Sequence, residues 1–91
     1  MHADPKSIAD TIDSFIKQTF PRARTAQYTP SEHLVNRGIV DSMGLLSIIM
    51  FLEEHFNFMV SDEEVTDAHF ASVEKLVAYV YAKLDKVGAA R

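Results

Sequence analysis

The stretch Asp41-Ser42-Met43-Gly44-Leu45-Leu46-Ser47-Ile48-Ile49-Met50-Phe51-Leu52-Glu53-Glu54-His55-Phe56 decides how the rest of the chain is read. At one residue every 100°, Leu45, Ile48, Ile49, Leu52 and Phe56 fall on one side, which predicts a helix with a buried face. Asp41 and Ser42 are both residues that cap helix starts. At about 1.5 Å per residue the helix is roughly 22 Å long. The other side carries Met43, Ser47, Met50 and Glu54, flanked by Leu46 and Glu53. That is more apolar surface than one core face requires.

Working back toward the amino terminus, residues 21–41 hold Pro21, Pro30 and Gly38 without a sustained period. They read as a long connection, with Leu34 and Val35 turned inward and Ile39 and Val40 leading into the helix. Long connections in small domains tend to carry function or wrap the core. Before them, Asp4-Pro5 is an N-cap followed by proline at the first helical position. Ile8, Ile12, Phe15, Ile16 and Phe20 then repeat at helical spacing. Pro21 ends that run, because the residue before a proline is pushed out of the α region. The first helix is therefore expected over about 5–20.

Working forward, Asn57 is a helix stop and Phe58-Met59-Val60 a short apolar crossing. Ser61-Asp62-Glu63-Glu64 has the spacing of a capping box. A brief helical turn is expected around Asp67–Phe70. Ser72 then caps a last helix whose buried stripe is Val73, Leu76, Val77, Val80 and Leu84. Gly88 and the tail beyond it are expected to fray. The sum is an all-α bundle: three main helices, a short fourth, and a long loop between the first two main ones. One domain over 1–91, with its core at about 5–86, suits a chain of 91 residues.

Composition removes whole classes of function. Hydrophobic residues make up 47% and charged residues 24%, a globular rather than disordered balance. Thirteen acids against nine bases give net −4, so no basic field exists to hold nucleic acid or an anionic membrane. A partner steered by charge should present Lys or Arg. The absence of cysteine excludes a disulfide scaffold, a thiolate metal site and a cysteine nucleophile. Histidines 2, 33, 55 and 69 lack the i, i+4 spacing of a helical metal site, and the acids at 62–67 do not follow a calcium-loop rhythm. His55 and His69 read as surface or boundary residues. No metal site, no catalytic residue and no membrane span is expected; the start Met1-His2-Ala3-Asp4-Pro5-Lys6 lacks the features of a signal peptide, so a cytoplasmic protein is expected.

The chemistry concentrates where the loop meets the quoted helix, at Gly38-Ile39-Val40-Asp41-Ser42-Met43-Gly44-Leu45-Leu46. A serine at a helix's first position is presented to solvent by a rigid element, at the positive end of its dipole. Backbone N–H groups there favour a phosphate on the hydroxyl. Asp41 and Ser42 equally suit a plain helix cap, and from these two residues both readings stand.

The surrounding pattern resembles the acyl carrier protein family, in which Asp-Ser-Leu or Asp-Ser-Met opens the second helix. The resemblance continues through Phe51-Leu52-Glu53-Glu54-His55-Phe56, Val60-Ser61-Asp62-Glu63-Glu64 and His69-Phe70-Ala71-Ser72-Val73-Glu74-Lys75-Leu76, and covers about 5–86. It implies 4′-phosphopantetheine attached to Ser42, with cargo held as a thioester on the arm's thiol, and Asp41 helping to orient the modifying transferase and its metal ion. The partners it implies are a phosphopantetheinyl transferase, a loading ligase or synthase, and a downstream acyl-accepting enzyme. The carrier itself is expected to be a non-catalytic monomer.

The chain departs from the usual acidic recognition helix at two places. Gly44 and Ser47 stand where acids are common, which leaves Asp41, Glu53 and Glu54 with Met43, Leu46 and Met50 between them. A partner face of Met43, Leu46, Ser47, Met50, Glu53 and Glu54 is therefore expected to rely more on apolar contact, for which methionine is adaptable. Leu46 is equally open to packing inside the bundle. Gly44 is expected to let an enzyme approach the arm closely. The Asp-Ser-Met-Gly form also resembles discrete carriers, such as D-alanyl carrier proteins, that serve an adenylate-forming ligase. The competing reading is a small helical interaction module that docks through the same helix. Six phenylalanines point to a filled interior, favouring short or polar cargo.

Overall fold

A computed structural model describes residues 4–89, with side chains described as far as residue 85. Five α-helices and one 3₁₀ turn follow one another: α1 (Pro5–Thr19), α2 (Pro21–Thr25), α3 (Ser42–Phe56), the 3₁₀ turn Asp62–Glu64, α4 (Asp67–Phe70) and α5 (Val73–Ala89). No strand occurs among the described residues. The fold is the expected all-α bundle, with one short helix more than the sequence reading gave.

That extra helix comes from Pro21. Phe20 leaves the helical region at φ −114°, ψ 109°, ending α1 as expected. The same proline, preset for a helix's first position, then starts α2. At the front of α1, Asp4 accepts a hydrogen bond from the Ser7 N–H at 2.7 Å. Asn57 stops α3 in the left-handed conformation, φ 60°, which asparagine tolerates better than most residues. At the far end α5 runs through Gly88 to Ala89. Ala90 and Arg91, the rest of the tail expected to fray, lie outside the described residues, as does His2.

Ile8, Ile12 and Ile16 of α1 meet Ile48 and Leu52 of α3 and Leu76 and Val80 of α5, all at 0–1% exposure. Burying each such side chain is worth about 1.5–3 kcal/mol relative to leaving it in water. The long connection closes this core. Leu34, Ile39 and Val40 are buried, and the Leu34 N–H donates to the Ala71 carbonyl at 2.8 Å. Pro30's carbonyl accepts from the Glu74 N–H, satisfying a first-turn donor of α5. Val35, expected to turn inward, is 39% exposed. The backbone folds back after it: Ile39 N–H returns to the Leu34 carbonyl, and Gly38 makes the bend at φ +74°. Leu34 alone of the pair can then face the core.

The crossing from α3 to α5 is held by two carboxylates. Glu53 accepts from the Val60 N–H at 2.9 Å. Glu64 completes the expected capping box with Ser61 and also accepts from the Tyr79 hydroxyl and the Lys83 ammonium, each at 3.0 Å. The Ser61 backbone N–H, then Lys83 and Tyr79, outweigh burial and hold the Glu64 carboxyl down at about 2, from 4.5. The unfolded chain therefore binds more protons in that range, and stability falls as pH drops from about 4.5 toward 2. With 28% of this side chain exposed, the contribution is about 1–2 kcal/mol. Denaturant midpoints of the wild type and Glu64→Gln should differ at pH 6 and converge near pH 2. Parallel pH curves for the two proteins would contradict this account.

Candidate functional site

The mouth of α3 is built by Asp41. It sits at φ −90°, ψ 177°, outside the helix, and its Oδ1 accepts from the Gly44 N–H at 2.6 Å. Its carbonyl takes the Leu45 N–H at 3.1 Å. With Asp41 as the cap, Ser42 becomes the first helical residue and its side chain is exposed. The backbone N–H groups of Ser42 and Met43 belong to the orphan donors of a first turn. Neither has a hydrogen-bond partner among the described residues. The serine hydroxyl thus stands beside two open amide donors, at the positive end of a 15-residue helix.

Around the helix, the expected outward residues are outward. Met43 is 73% exposed, Leu46 55% and Met50 62%, with Ser47 and Glu54 also exposed. The open question over Leu46 is settled for the surface. Glu53 is half-buried because it is tied to the crossing segment. On the inner side Ile48 and Leu52 are buried, while Leu45, Ile49 and Phe56 pack at the edge of the core. Toward α1, Phe51 stacks on Phe15 with ring centroids 4.1 Å apart and an interplanar angle of 12°. His55 is exposed and stacks on Phe51, and His69 is half-buried against Tyr79. Among the described residues no group of three His, Cys, Asp or Glu side chains could hold a metal ion.

Gly44 departs from its expected role. It is buried, and its α-carbon faces inward rather than toward an approaching enzyme. A Cβ there would stand 2.5 Å from Cε1 of Phe20 and 3.1 Å from Oδ1 of Asp41. The glycine lets the end of α1 press onto the first turn of α3, and Phe20 is the residue the sequence reading left out of the site. Its signal is the apolar position just before Pro21, which the helical period assigns to the α1 stripe alone.

Gly44→Asp is consequently expected to act on stability. The new side chain would displace Phe20 and bring a second carboxylate against Asp41, at a cost of about 2–3 kcal/mol. Chemical denaturation should register it directly. A Gly44→Asp protein as stable as the wild type would show that Phe20 does not seal this position.

Comparison with known proteins fits this geometry. No family model matches the chain. The chain is 34% identical over 68 residues to Aminoacyl carrier protein 1 of Bradyrhizobium diazoefficiens, a match spanning 75% of this chain and 74% of that protein. The chain belongs to the acyl and aminoacyl carrier protein family.

Proposed function

We propose that this protein is a non-catalytic carrier that holds an acyl or aminoacyl group on 4′-phosphopantetheine attached to Ser42. The observation that carries the proposal is the exposed hydroxyl at the first position of α3, beside two unclaimed amide donors, in a chain of the carrier family. The residues present fit the group. A phosphate on the Ser42 oxygen would meet the N–H groups of Ser42 and Met43 and the positive end of the helix. When bound, the arm supplies a terminal thiol on which cargo is held as a thioester.

Everything else is positioning. Ser42 offers a hydroxyl in the open, so the transferase that modifies it brings its own base and its coenzyme A. Asp41 fixes the helix mouth with one oxygen, and its carboxylate orients the transferase and its metal ion. Met43, Leu46, Ser47 and Met50 give successive enzymes an apolar face without charge, bounded by Glu53 and Glu54 at its far end. The partners are the transferase, a loading ligase or synthase, and an acceptor enzyme. We place this shuttle, a monomer, in the cytoplasm. Brief contacts suit it, near micromolar, or about −8 kcal/mol.

The test is intact mass after incubation with a phosphopantetheinyl transferase and coenzyme A. The reading expects a gain of one phosphopantetheine. No gain with several transferases would favour a plain interaction module docking through α3.

A further inference from the structure

Position along α3 relates Ser42 to one carboxylate in particular. Counting at 100° per residue, Leu46, Ile49 and Glu53 lie within about 40° of Ser42, at i+4, i+7 and i+11. These four residues form a single strip down the helix. It starts at the serine, crosses two aliphatic side chains, and ends at Glu53 after a rise of about 16–17 Å. Leu46 is 55% exposed while Ile49, at the core's edge, and Glu53 are half-buried, so the strip is open at Leu46, partly open beyond it, and apolar along its middle.

Glu53 is unlike the other acids near the site. It is half-buried, and its Oε2 is committed to the Val60 N–H. Among the described residues, no hydrogen bond or ion pair uses its Oε1. No Lys or Arg occurs anywhere between Arg37 and Lys75 in the sequence. Its charge also reaches Tyr79, where it adds to burial and the Glu64 carboxylate in pushing the phenol upward. Glu54, its neighbour, is exposed and lies about 120° round the helix from Ser42. Only Glu53 ends the strip.

We infer that Glu53 is a cargo-specificity residue, whose free carboxylate oxygen receives the ammonium group of an aminoacyl cargo carried from Ser42 along Leu46 and Ile49. The inference rests on the reading of Ser42 as the attachment site. Bond lengths allow it, since an extended phosphopantetheine reaches on the order of 18 Å from serine oxygen to sulfur. The chemistry selects the cargo class. A neutral acyl group laid against Glu53 would strip water from a carboxylate and give nothing in return. An ammonium replaces that water with a charge-assisted hydrogen bond. Small aminoacyl groups fit best, because the strip ends soon after the arm does.

Two probes differing in that one charge test this. Coenzyme A analogues bearing a glycyl or a propionyl group through a stable amide are transferred to Ser42, and amide spectra are recorded by NMR. The Val60 and Glu53 resonances should move between the glycyl and propionyl forms. The difference should vanish in Glu53→Gln, which keeps an oxygen for the Val60 N–H, and persist in Glu54→Gln. Complete loading with glycyl and propionyl spectra identical at Val60 and Glu53 would overturn the inference and leave the attachment site standing. Failure of several transferases to attach either probe or the unmodified arm of coenzyme A overturns both.

Discussion

Ser42→Ala is expected to abolish phosphopantetheine attachment completely while leaving the fold as stable as before. The two halves have separate physical grounds. Attachment needs the oxygen itself, and alanine offers none. Stability does not need it, because the helix cap is Asp41: its Oδ1 holds the Gly44 N–H and its carbonyl holds the Leu45 N–H. The Ser42 side chain is exposed and takes part in no hydrogen bond among the described residues. Alanine is moreover the better helix former. The unfolding free energy should change by no more than about 0.5 kcal/mol. Intact mass and denaturation on the same two proteins check both halves. Modification surviving in Ser42→Ala would place the arm elsewhere, and a collapse in stability would mean that Ser42, not Asp41, holds the helix start.

The sequence shows the long elements because their signals are local. Asp4-Pro5, Asp41-Ser42, Asn57, Ser61…Glu64 and Ser72 are caps and stops, and each acts on the residues beside it. The α3 bounds follow from such residues alone. What escapes is whatever depends on contact between distant segments. Gly44 reads as a permissive helix position until Phe20, twenty-four residues earlier, is seen pressed against it. Val35 looks as apolar as Leu34, and only the return of Ile39 N–H to Leu34 decides which one the core takes. α2 is missed for another reason: Pro21 both ends one helix and starts the next, and the five residues after that break are too few to show a period.

Of the candidate site, the outward positions of α3 follow from helix geometry, whereas Ser42 is singled out by the resemblance to the carrier family, its place at the helix start being equally that of a plain cap. The special position of Glu53 follows from neither. Its sequence reading groups it with Glu54 as a rim acid, since the two are neighbours of one kind. Its bond to the Val60 N–H, seven residues on, requires the chain to turn back after Asn57. That bond separates the two acids: one is a free surface charge, the other an anchored carboxylate with an oxygen to spare.

Tyr79 shows the same limit in the core and is a position where substitution should cost a large share of the stability. The helical stripe read from the sequence of α5 passes it by. In the fold it is 4% exposed. Its ring meets Phe58 edge-on at 5.9 Å, Phe70 at 5.2 Å and His69 at 4.9 Å. Its hydroxyl donates to Glu64, and burial together with that carboxylate raises the phenol's pKa. One side chain thus joins the crossing segment, α4 and α5. Tyr79→Ala should cost about 3–5 kcal/mol, the range for emptying a buried aromatic position. Against a total of about 5–15 kcal/mol that is enough to bring a small bundle near unfolding. Tyr79→Phe keeps the packing and removes one hydrogen bond to a charged acceptor that Ser61 and Lys83 still satisfy, so about 1 kcal/mol is expected. Urea denaturation of the two variants separates the ring from the hydroxyl. Equal losses for Phe and Ala would show that the tie to Glu64, rather than the aromatic cluster, holds α4 and the crossing onto α5.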